Sequence, residues 1–285
     1  MKELSLQSPA KVNLHLQVIA KRPDGYHDLR MLMVGISIYD EVKVTLTKES
    51  ISLYCDHPGV PLGDKNIALR AARLFVEETG FSGGIDIQIK KKIPMGGGLG
   101  GGSSNAASVL MALNELTGNR LSKKKLLETG LKLGADVPFF IFKGAALAEG
   151  IGEKLTQIND LPEMWFLLVN PGIEVPTASI FKSINLELTK ERENHNITGF
   201  NYSLESVISV LHNDLESVTL KKHPEVAEAL ALLRDEGSAE GVLMSGSGAT
   251  VFGLYDSEGS ARKALVQLEK DIVCRGWAAF VAHSL

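Results

Sequence analysis

The sequence predicts an α+β fold of two domains. Short runs in which apolar and polar residues alternate indicate strands, and longer runs with apolar residues three or four positions apart indicate helices. Both kinds of run occur in each half of the 285-residue chain, a mixture typical of α+β proteins. Apolar density falls between Gly150 and Pro162, where Glu-Gly-Ile-Gly-Glu-Lys has the composition of a turn. We therefore expect an N-terminal domain at 1–155 and a C-terminal domain at 156–285.

The N-terminal half contains three strand patterns and three helix patterns. In the first strand Val12, Leu14 and Leu16 alternate with polar residues, which places the polar residues on one face. In the last two helices good capping residues precede the apolar repeat. The predicted strands lie at 4–18, near 42–46 and at 85–89, and the predicted helices lie at about 66–78, at 106–116 with Ser103, Ser104 and Asn105 as candidate N-caps, and from Ser122 to Gly134.

The C-terminal half repeats this mixture of strands and helices. The predicted strands lie at 165–170, 241–244, 250–254 and 277–281, and the predicted helices lie near Ile180 and at 204–211, 226–236 and 260–270. The polar stretch from Thr189 to Asn201 is expected to be a mobile surface loop.

Composition and charge favour a small-molecule partner. The net charge is −4 and the isoelectric point is near 6.0, so no overall positive field exists to attract nucleic acid or an acidic membrane surface. Cys55 and Cys274 are far apart and belong to no metal-binding motif, and we expect both thiols to be buried. No stretch has the apolar length of a signal peptide core or a membrane span. We expect a cytoplasmic protein that is a monomer or a weak homodimer.

The most informative segment runs from Pro94 to Ala107 and reads Pro-Met-Gly-Gly-Gly-Leu-Gly-Gly-Gly-Ser-Ser-Asn-Ala-Ala. Glycine has no Cβ, so the backbone N–H groups of such a loop approach a ligand closely. A strand pattern precedes the loop and a helix pattern follows it, and the free N–H groups at the start of a helix favour an anion. The segment therefore predicts a phosphate-binding loop, with a flexible linker as the alternative.

Two better-known phosphate loops fit less well. A Walker loop requires lysine before its serine or threonine, whereas Gly102 precedes Ser103 directly. A dinucleotide-binding fingerprint requires an acidic residue about twenty positions further on, at the end of a second strand. The candidate nearby is Glu115, inside the predicted helix.

Four other features have simple structural interpretations when each is considered alone. Lys11, Asn13 and His15 share one strand face, and solvent exposure is the favoured explanation for their polarity. Asp136 lies between a glycine and a proline, where an Asx turn accounts for it. His27 lies among turn-forming residues and is expected to be solvated, and the glycine cluster at 244–248 has the pattern of a hairpin turn.

Three motifs in this order resemble those of the GHMP kinases, the family named for galactokinase, homoserine kinase, mevalonate kinase and phosphomevalonate kinase. They are Ser8-Pro-Ala-Lys-Val-Asn-Leu, the loop from Pro94 to Ala107, and Met244-Ser-Gly-Ser-Gly-Ala-Thr-Val-Phe-Gly. The motifs span nearly the whole chain. The resemblance implies an N-terminal half similar to the second domain of ribosomal protein S5, a ferredoxin-like C-terminal half and an active site in the cleft between them.

Further stretches resemble the branch of the family that phosphorylates the 2-hydroxyl of a cytidine-diphosphate-linked methylerythritol in the non-mevalonate isoprenoid route. They are Arg22-Pro-Asp-Gly-Tyr-His-Asp-Leu, the extended glycine loop with Asn105, Leu133-Gly-Ala-Asp-Val-Pro-Phe-Phe, and Pro171-Gly-Ile-Glu-Val-Pro-Thr-Ala-Ser-Ile-Phe. The resemblance leaves open a mevalonate or homoserine type of kinase and a non-catalytic nucleotide sensor of the same fold. A dinucleotide oxidoreductase is the alternative from another class.

The resemblance also implies roles for individual residues. Asp136 and Lys11 match the catalytic aspartate and the lysine that assists it, and ATP with Mg²⁺ is the implied donor, without a dedicated carboxylate site for the metal. The residues implied for ATP are Asn66 and Lys91 near the adenine, and Pro94, Met95, Gly96, Gly97, Gly98, Leu99, Gly100, Gly101, Gly102, Ser103 and Ser104 around the phosphates. The residues implied for the substrate are Tyr26 and Phe181 on either face of the cytosine, His27 and Asn13 at its edge, and Thr177, Ser245, Gly246 and Ser247 in the rest of the pocket.

Overall fold

Strands and helices occur throughout the computed structural model, which describes residues 2–184, 197 and 199–285. The strands are β1 (Glu3–Lys21), β2 (His27–Thr47), β3 (Ile51–Cys55), β4 (Gly84–Lys90), β5 (Ala146–Gly150), β6 (Lys154–Gln157), β7 (Trp165–Asn170), β8 (His212–Asn213), β9 (Gly241–Met244), β10 (Val251–Tyr255) and β11 (Ala278–His283). The helices are α1 (Ile67–Thr79), α2 (Gly101–Leu116), α3 (Lys123–Leu131), α4 (Val137–Phe142), α5 (Thr177–Ser183), α6 (Leu204–Ile208), α7 (Glu216–Lys222), α8 (Pro224–Asp235) and α9 (Glu258–Cys274).

The chain divides into two compact units whose segments alternate along the sequence. The first unit contains Met1–Ala10, Ile38–Ile93 and Gly100–Lys143, and the second contains Lys11–Ser37, Pro94–Leu99 and Gly144–Leu285. The long strands β1 and β2 therefore each contribute residues to both units. The predicted division at residue 155 stays a prediction, and we note that it falls within the β5–β6 hairpin.

The first unit is a sheet segment covered by helices. Strand β4 pairs antiparallel with Glu41–Thr47 of β2 and parallel with β3, and α1 packs against α2. Ile85, Ile87 and Phe75 are fully buried in its core. Burying each such side chain contributes about 1.5–3 kcal/mol, so this packing holds the start of α2 in place.

The second unit contains an antiparallel sheet with the strand order β11-β7-β10-β9. Helix α8 lies between β7 and β9 in the sequence and α9 lies between β10 and β11, and both pack on this sheet. This βαββαβ arrangement is the ferredoxin-like fold, so the expectation for the C-terminal half is confirmed. In the same unit β5 pairs with Leu29–Met33 of β2, and β8 pairs with His15 and Leu16 of β1.

Most predicted elements are present, and the differences have physical reasons. Strand β2 is far longer than the predicted run at 42–46. Residues 31–36 are buried without interruption, so this part of the strand lacks the alternation of apolar and polar residues by which a strand is recognised. Strands β3, β5, β6 and β8 and helices α4 and α7, each of at most seven residues, were not predicted. The predicted loop at 189–201 lies outside the described residues except for 197 and 199–201.

Two local expectations are wrong. Helix α2 is capped by Gly100, in a left-handed conformation at φ 70°, and not by Ser103, Ser104 or Asn105, which lie within its first turns. A glycine adopts this conformation without steric cost. Cys55 is buried as expected, but Cys274 is exposed, because it ends α9 on the solvent side. Among the described residues no helix is long and apolar enough to cross a membrane.

Candidate active site

Within the second unit, three carbonyl oxygens of the glycine loop accept hydrogen bonds. Gly97 O accepts a hydrogen bond from the N–H of Thr250 (3.2 Å), Gly98 O from the hydroxyl of Ser245 (3.1 Å) and Leu99 O from the N–H of Lys11 (3.0 Å). In a trans peptide the N–H points opposite to the carbonyl. The amide hydrogens of these three peptide units therefore point away from the residues that hold the carbonyls.

Two positions of the loop require glycine, because neighbouring atoms leave no room for a side chain. A Cβ on Gly97 would lie 2.7 Å from both Asn170 Nδ2 and Thr250 Oγ1, and a Cβ on Gly98 would lie 2.1 Å from the carbonyl oxygen of Ser245. Gly98 also has a φ of +74°, which favours glycine. Any side chain at either position would push the loop away from the donors that bond its carbonyl oxygens.

In the first unit, helix α2 begins where the loop ends. The N–H groups of Gly101, Gly102 and Ser103 belong to the first turn of α2, where a helix offers no internal acceptor. The ammonium of Lys91 lies close by, since a Cβ on Gly101 would be 3.1 Å from Lys91 Nζ. Free amides, the positive end of the helix dipole and a lysine together favour an anion such as a phosphate.

Lys91 is held by a buried carboxylate that the sequence did not single out. Asp40 is fully buried, forms an ion pair with Lys91 and accepts the N–H groups of Lys92 (2.8 Å) and Ile93 (2.9 Å). These bonds satisfy the buried carboxylate, which would otherwise carry a large desolvation penalty. They also fix the direction of the lysine side chain.

Asn66, implied for the adenine side, has a structural task of its own. Its side-chain oxygen accepts the N–H of Ala68 (2.9 Å) and caps α1, and its amide donates to Pro61 O (2.8 Å). Its contact with a nucleotide stays a prediction, as does that of Lys91.

The polar face of β1 is buried, so the expectation of solvent exposure is wrong. Lys11 is only 3% exposed, and Asn13 and His15 are also buried. Lys11 Nζ donates to Asn13 Oδ1 (2.5 Å), and His15 Nδ1 lies 2.8 Å from Val210 O. Both faces of β1 are covered from Ala10 to Val18, and alternation alone does not reveal such covering. A buried ammonium is expensive to desolvate and therefore indicates a function.

Asp136 lies directly before α4, in the first unit. Its side chain makes no capping hydrogen bond to that helix, so the Asx-turn interpretation is wrong. The N–H of Val137 is bonded instead to Gly134 O (3.1 Å), and Pro138 fixes the first turn. The backbone around Asp136 is thus set by its neighbours and not by its own side chain.

An aromatic group lies at the start of β2. Tyr26 is 58% exposed, whereas His27 is buried and stacks on Phe181 with 5.2 Å between the ring centroids and 26° between the planes. The expectation that His27 is solvated is therefore wrong. Burial, assisted by the charge of Lys21, lowers the pKa of His27 below its usual 6.5, so the imidazole is neutral at pH 7.

The cluster at 244–248 joins β9 to β10, as the hairpin interpretation predicted. Its residues are buried, however, and Ser247 Oγ lies 2.8 Å from Thr177 Oγ1. Thr177 and Ser247 are therefore brought together as the resemblance implies.

Comparison with known proteins identifies the family. The sequence model described as GHMP kinases N terminal domain matches residues 66–144, and that described as GHMP kinases C terminal matches 199–273. The 4-diphosphocytidyl-2-C-methyl-D-erythritol kinase of Geobacter sp. (strain M21) is 51% identical to this chain, with 100% of each covered. The chain belongs to the GHMP kinases. This membership excludes the oxidoreductase and linker interpretations.

Further similar proteins support the assignment to the GHMP kinases. The 4-diphosphocytidyl-2-C-methyl-D-erythritol kinase of Syntrophotalea carbinolica is 47% identical over 98% of each chain. The crystal structure of a 4-(cytidine 5'-diphospho)-2C-methyl-D-erythritol kinase superposes with a TM-score of 0.80 at 35% identity, covering 99% of each chain. The structure of homoserine kinase from Cytophaga hutchinsonii, at 20% identity, a TM-score of 0.77 and coverage of 100% of this chain and 95% of that one, shares the fold.

Sequence reasoning missed several polar residues that hold other parts of each unit. In the second unit buried Asn213 and Thr219 and half-buried Glu216 bond to the backbone at 244–247, and in the first unit Asp40 holds Lys91. The regular spacing of three residues in Asn213-Asp-Leu-Glu-Ser-Val-Thr219 was the available signal. Among the residues that the structure describes, no three His, Cys, Asp or Glu side chains form a metal-binding group.

We expect Gly98→Ala to destabilise the kinase more than Gly118→Ala. Both glycines have positive φ, but a Cβ at Gly118 has nothing within 4 Å. The control therefore measures backbone strain alone, about 1–2 kcal/mol, and Gly98→Ala should lose about 1–3 kcal/mol more through steric overlap. Urea unfolding measures both losses, and equal losses would show that the contact of Gly98 with Ser245 is unimportant.

We also expect a pH-dependent gain in stability from Glu216→Gln. Burial raises the pKa of Glu216 above its usual 4.5, although the Met244 N–H partly opposes this. Between the unfolded and folded pKa values the folded state binds more protons, so the free energy of unfolding falls as pH rises. Glutamine keeps an acceptor for Met244 without this ionisation. Its stability relative to wild type should rise from pH 4 to pH 8 in urea unfolding, and a constant difference would contradict the account.

Proposed function

We propose that this GHMP kinase transfers the terminal phosphate of ATP to the 2-hydroxyl of 4-diphosphocytidyl-2-C-methyl-D-erythritol. The observation that carries the proposal is the 51% identity, over 100% of both chains, to a relative of that name. The loop amides, the buried Lys11 and the aromatic group at Tyr26 support it, because they suit a polyphosphate donor and a substrate with a flat base.

In this proposal Asp136 is the catalytic base. A carboxylate is too weak a base to ionise an alcohol in advance, because an alcohol is about as weak an acid as water at ~15.7. It orients the hydroxyl oxygen and accepts its proton late, as the bond between the oxygen and phosphorus forms and the bond to ADP breaks. Lys11 offsets the negative charge near the transferring group, and its bond to Asn13 Oδ1 limits its movement.

ATP is the phosphate donor of the family, and the glycine loop is the proposed site of its phosphates. The N–H groups from Gly96 to Ser103 would donate to phosphate oxygens, with the ammonium of Lys91 beside the first turn of α2. The N–H of Ser104, which the resemblance included, donates instead to Gly100 O (2.9 Å). Mg²⁺ bound to the phosphates would neutralise part of their charge. We propose that phosphate oxygens and water supply most of its ligands, since Mg²⁺ usually keeps several waters and binds substrate phosphates.

The aromatic group at the start of β2 is the proposed cytosine site. Phe181 stacks with His27, and we propose that Tyr26 and Phe181 lie on either face of the base. The neutral imidazole of His27 and the amide of Asn13 would hydrogen-bond the base edge. Thr177 and Ser245 to Ser247 would line the rest of the pocket.

We predict that Asp136→Asn lowers kcat by roughly 10²–10⁴-fold, the loss expected for a positioned base. The amide keeps the size of the side chain but cannot accept the proton, so KM should change little. Steady-state kinetics measure both constants. Asp64→Asn is the control, since Asp64 is an exposed surface aspartate, and it should keep wild-type activity. Full activity of Asp136→Asn would remove the assigned role.

We predict that replacing both Tyr26 and Phe181 with alanine raises KM for the cytidine-linked substrate at least tenfold. Stacking of a base on an aromatic ring contributes about 1–3 kcal/mol. KM for ATP should stay unchanged, which serves as the internal control. An unchanged KM for the cytidine-linked substrate would place its base elsewhere.

The function itself is tested by an assay for ADP release with four acceptors. Phosphorylation of the cytidine-linked methylerythritol, with little of mevalonate, homoserine or galactose, is the expected result. Preference for any of the other three, or tight ATP binding without turnover, would contradict the proposal.

A further inference from the structure

Three polar side chains from one short segment bond to the backbone of the 244–248 turn. Asn213, Glu216 and Thr219 follow each other at intervals of three residues, and we call them the clamp. Glu216 Oε2 accepts the N–H of Met244 (2.9 Å), and Thr219 Oγ1 donates to Ser247 O (3.0 Å). Asn213 makes the two remaining bonds to the turn, so four backbone groups from Met244 to Ser247 are held from one side.

Asn213 is the central member of the clamp. It is 6% exposed, and its Nδ2 donates to both Met244 O (2.8 Å) and Gly246 O (2.7 Å). Its Oδ1 accepts the N–H of Leu215 (2.9 Å). The reverse orientation of the amide would face its oxygen toward two carbonyl oxygens, so the assignment of Nδ2 and Oδ1 is unambiguous.

The bond from Asn213 to Gly246 O sets the direction of an amide hydrogen. The peptide between Gly246 and Ser247 is trans, so the N–H of Ser247 points away from the clamp. Within the part of the chain that the structure describes, this N–H donates to no protein acceptor. The turn could close without the clamp, since Ser245 N donates to Thr250 O (2.9 Å) and Gly248 N to Ser245 O (3.0 Å).

The turn also lies next to the glycine loop and Lys11. A Cβ on Gly246 would lie 3.2 Å from Gly98 O and 3.4 Å from Lys11 Nζ. The hydroxyl of Ser245 donates to Gly98 O. The position of the turn therefore sets the position of the Gly98 carbonyl and of the Gly246 backbone beside the Lys11 ammonium.

We propose that Asn213, assisted by Thr219, is a positioning residue for phosphoryl transfer. The clamp holds the turn so that the N–H of Ser247 and the ammonium of neighbouring Lys11 donate hydrogen bonds to negatively charged phosphate oxygens. These oxygens belong to the cytidine-linked substrate or to the phosphoryl group in transfer. The inference rests on the proposed function. Groups that stabilise a transition state must be placed closely, and a displacement of about 1 Å costs on the order of 10²-fold in rate.

Asn114 provides a matched control for Asn213. It is also buried, at 5% exposure, and it also makes three hydrogen bonds through its side chain, to Leu121 N (2.8 Å), Leu121 O (3.0 Å) and Asn119 Oδ1 (3.4 Å). It lies in α2, in the first unit, and holds only the turn that follows that helix. Asn114→Ala and Asn213→Ala thus remove equal numbers of buried hydrogen bonds from different places.

The test compares kcat and KM of these variants at a temperature where circular dichroism shows each to be folded. Asn213→Ala should lower kcat by about 10–10²-fold, with KM for ATP changed far less, whereas Asn114→Ala should lose stability but keep its kcat. Equal kcat values for the two variants would overturn the inference while leaving the proposed function intact. A wild-type protein inactive on the cytidine-linked substrate would overturn both.

Thr219 keeps the inference testable if Asn213→Ala does not fold. Thr219→Val preserves the shape of the side chain and removes the hydroxyl, whereas Thr219→Ser preserves the hydroxyl and removes a methyl group. A positioning role predicts a lower kcat for Thr219→Val and near wild-type kcat for Thr219→Ser. The opposite order, or equal values, would show that Thr219 serves packing alone and would overturn the inference.

Discussion

The conformation of the glycine loop depends on how its carbonyl groups are held. A chain with six glycines in seven positions has no intrinsic reason to adopt one conformation, because glycine loses more conformational freedom on folding than any other residue. Three successive carbonyls, from Gly97 to Leu99, are bonded to Thr250, Ser245 and Lys11. These bonds select one conformation and direct the amide hydrogens to the opposite side. The glycines permit the close approach, and their partners determine its direction.

Polar residues that are buried or half-buried hold candidate site residues within each unit. Lys11 and Asn13 lie on β1, Asp40 directs Lys91 toward the start of α2, and the clamp of Asn213, Glu216 and Thr219 holds the 244–248 turn. Each group would be costly to bury alone, and each is satisfied by hydrogen bonds. Such an arrangement fixes the directions of donors before a ligand binds, which is what electrostatic stabilisation of a transferring phosphoryl group requires.

The elements that the sequence predicted well are those with both a periodic pattern and an end signal. Strands β7 and β9 have the predicted bounds, and α1 begins one residue after Asn66, which caps it. The glycine loop was singled out because its composition is unusual and its flanks are regular. Strand β8 has two residues and α7 has Thr219 as its one buried residue, so neither has an apolar period, and for that reason Asn213 and Thr219 were missed. The burial of Lys11 was missed because alternation along β1 shows that two faces differ, but not what covers them.

The central claim is that the outward-facing amides of the glycine loop bind the phosphates of the donor nucleotide. The most direct measurement is a crystal structure with a nonhydrolysable ATP analogue and Mg²⁺. Our account predicts phosphate oxygens within about 2.7–3.2 Å of backbone nitrogens between Gly98 and Ser103, with the carbonyls of Gly97 and Gly98 still bonded to Thr250 and Ser245. Phosphates bound away from these amides, or a loop whose carbonyls have left those partners, would contradict it.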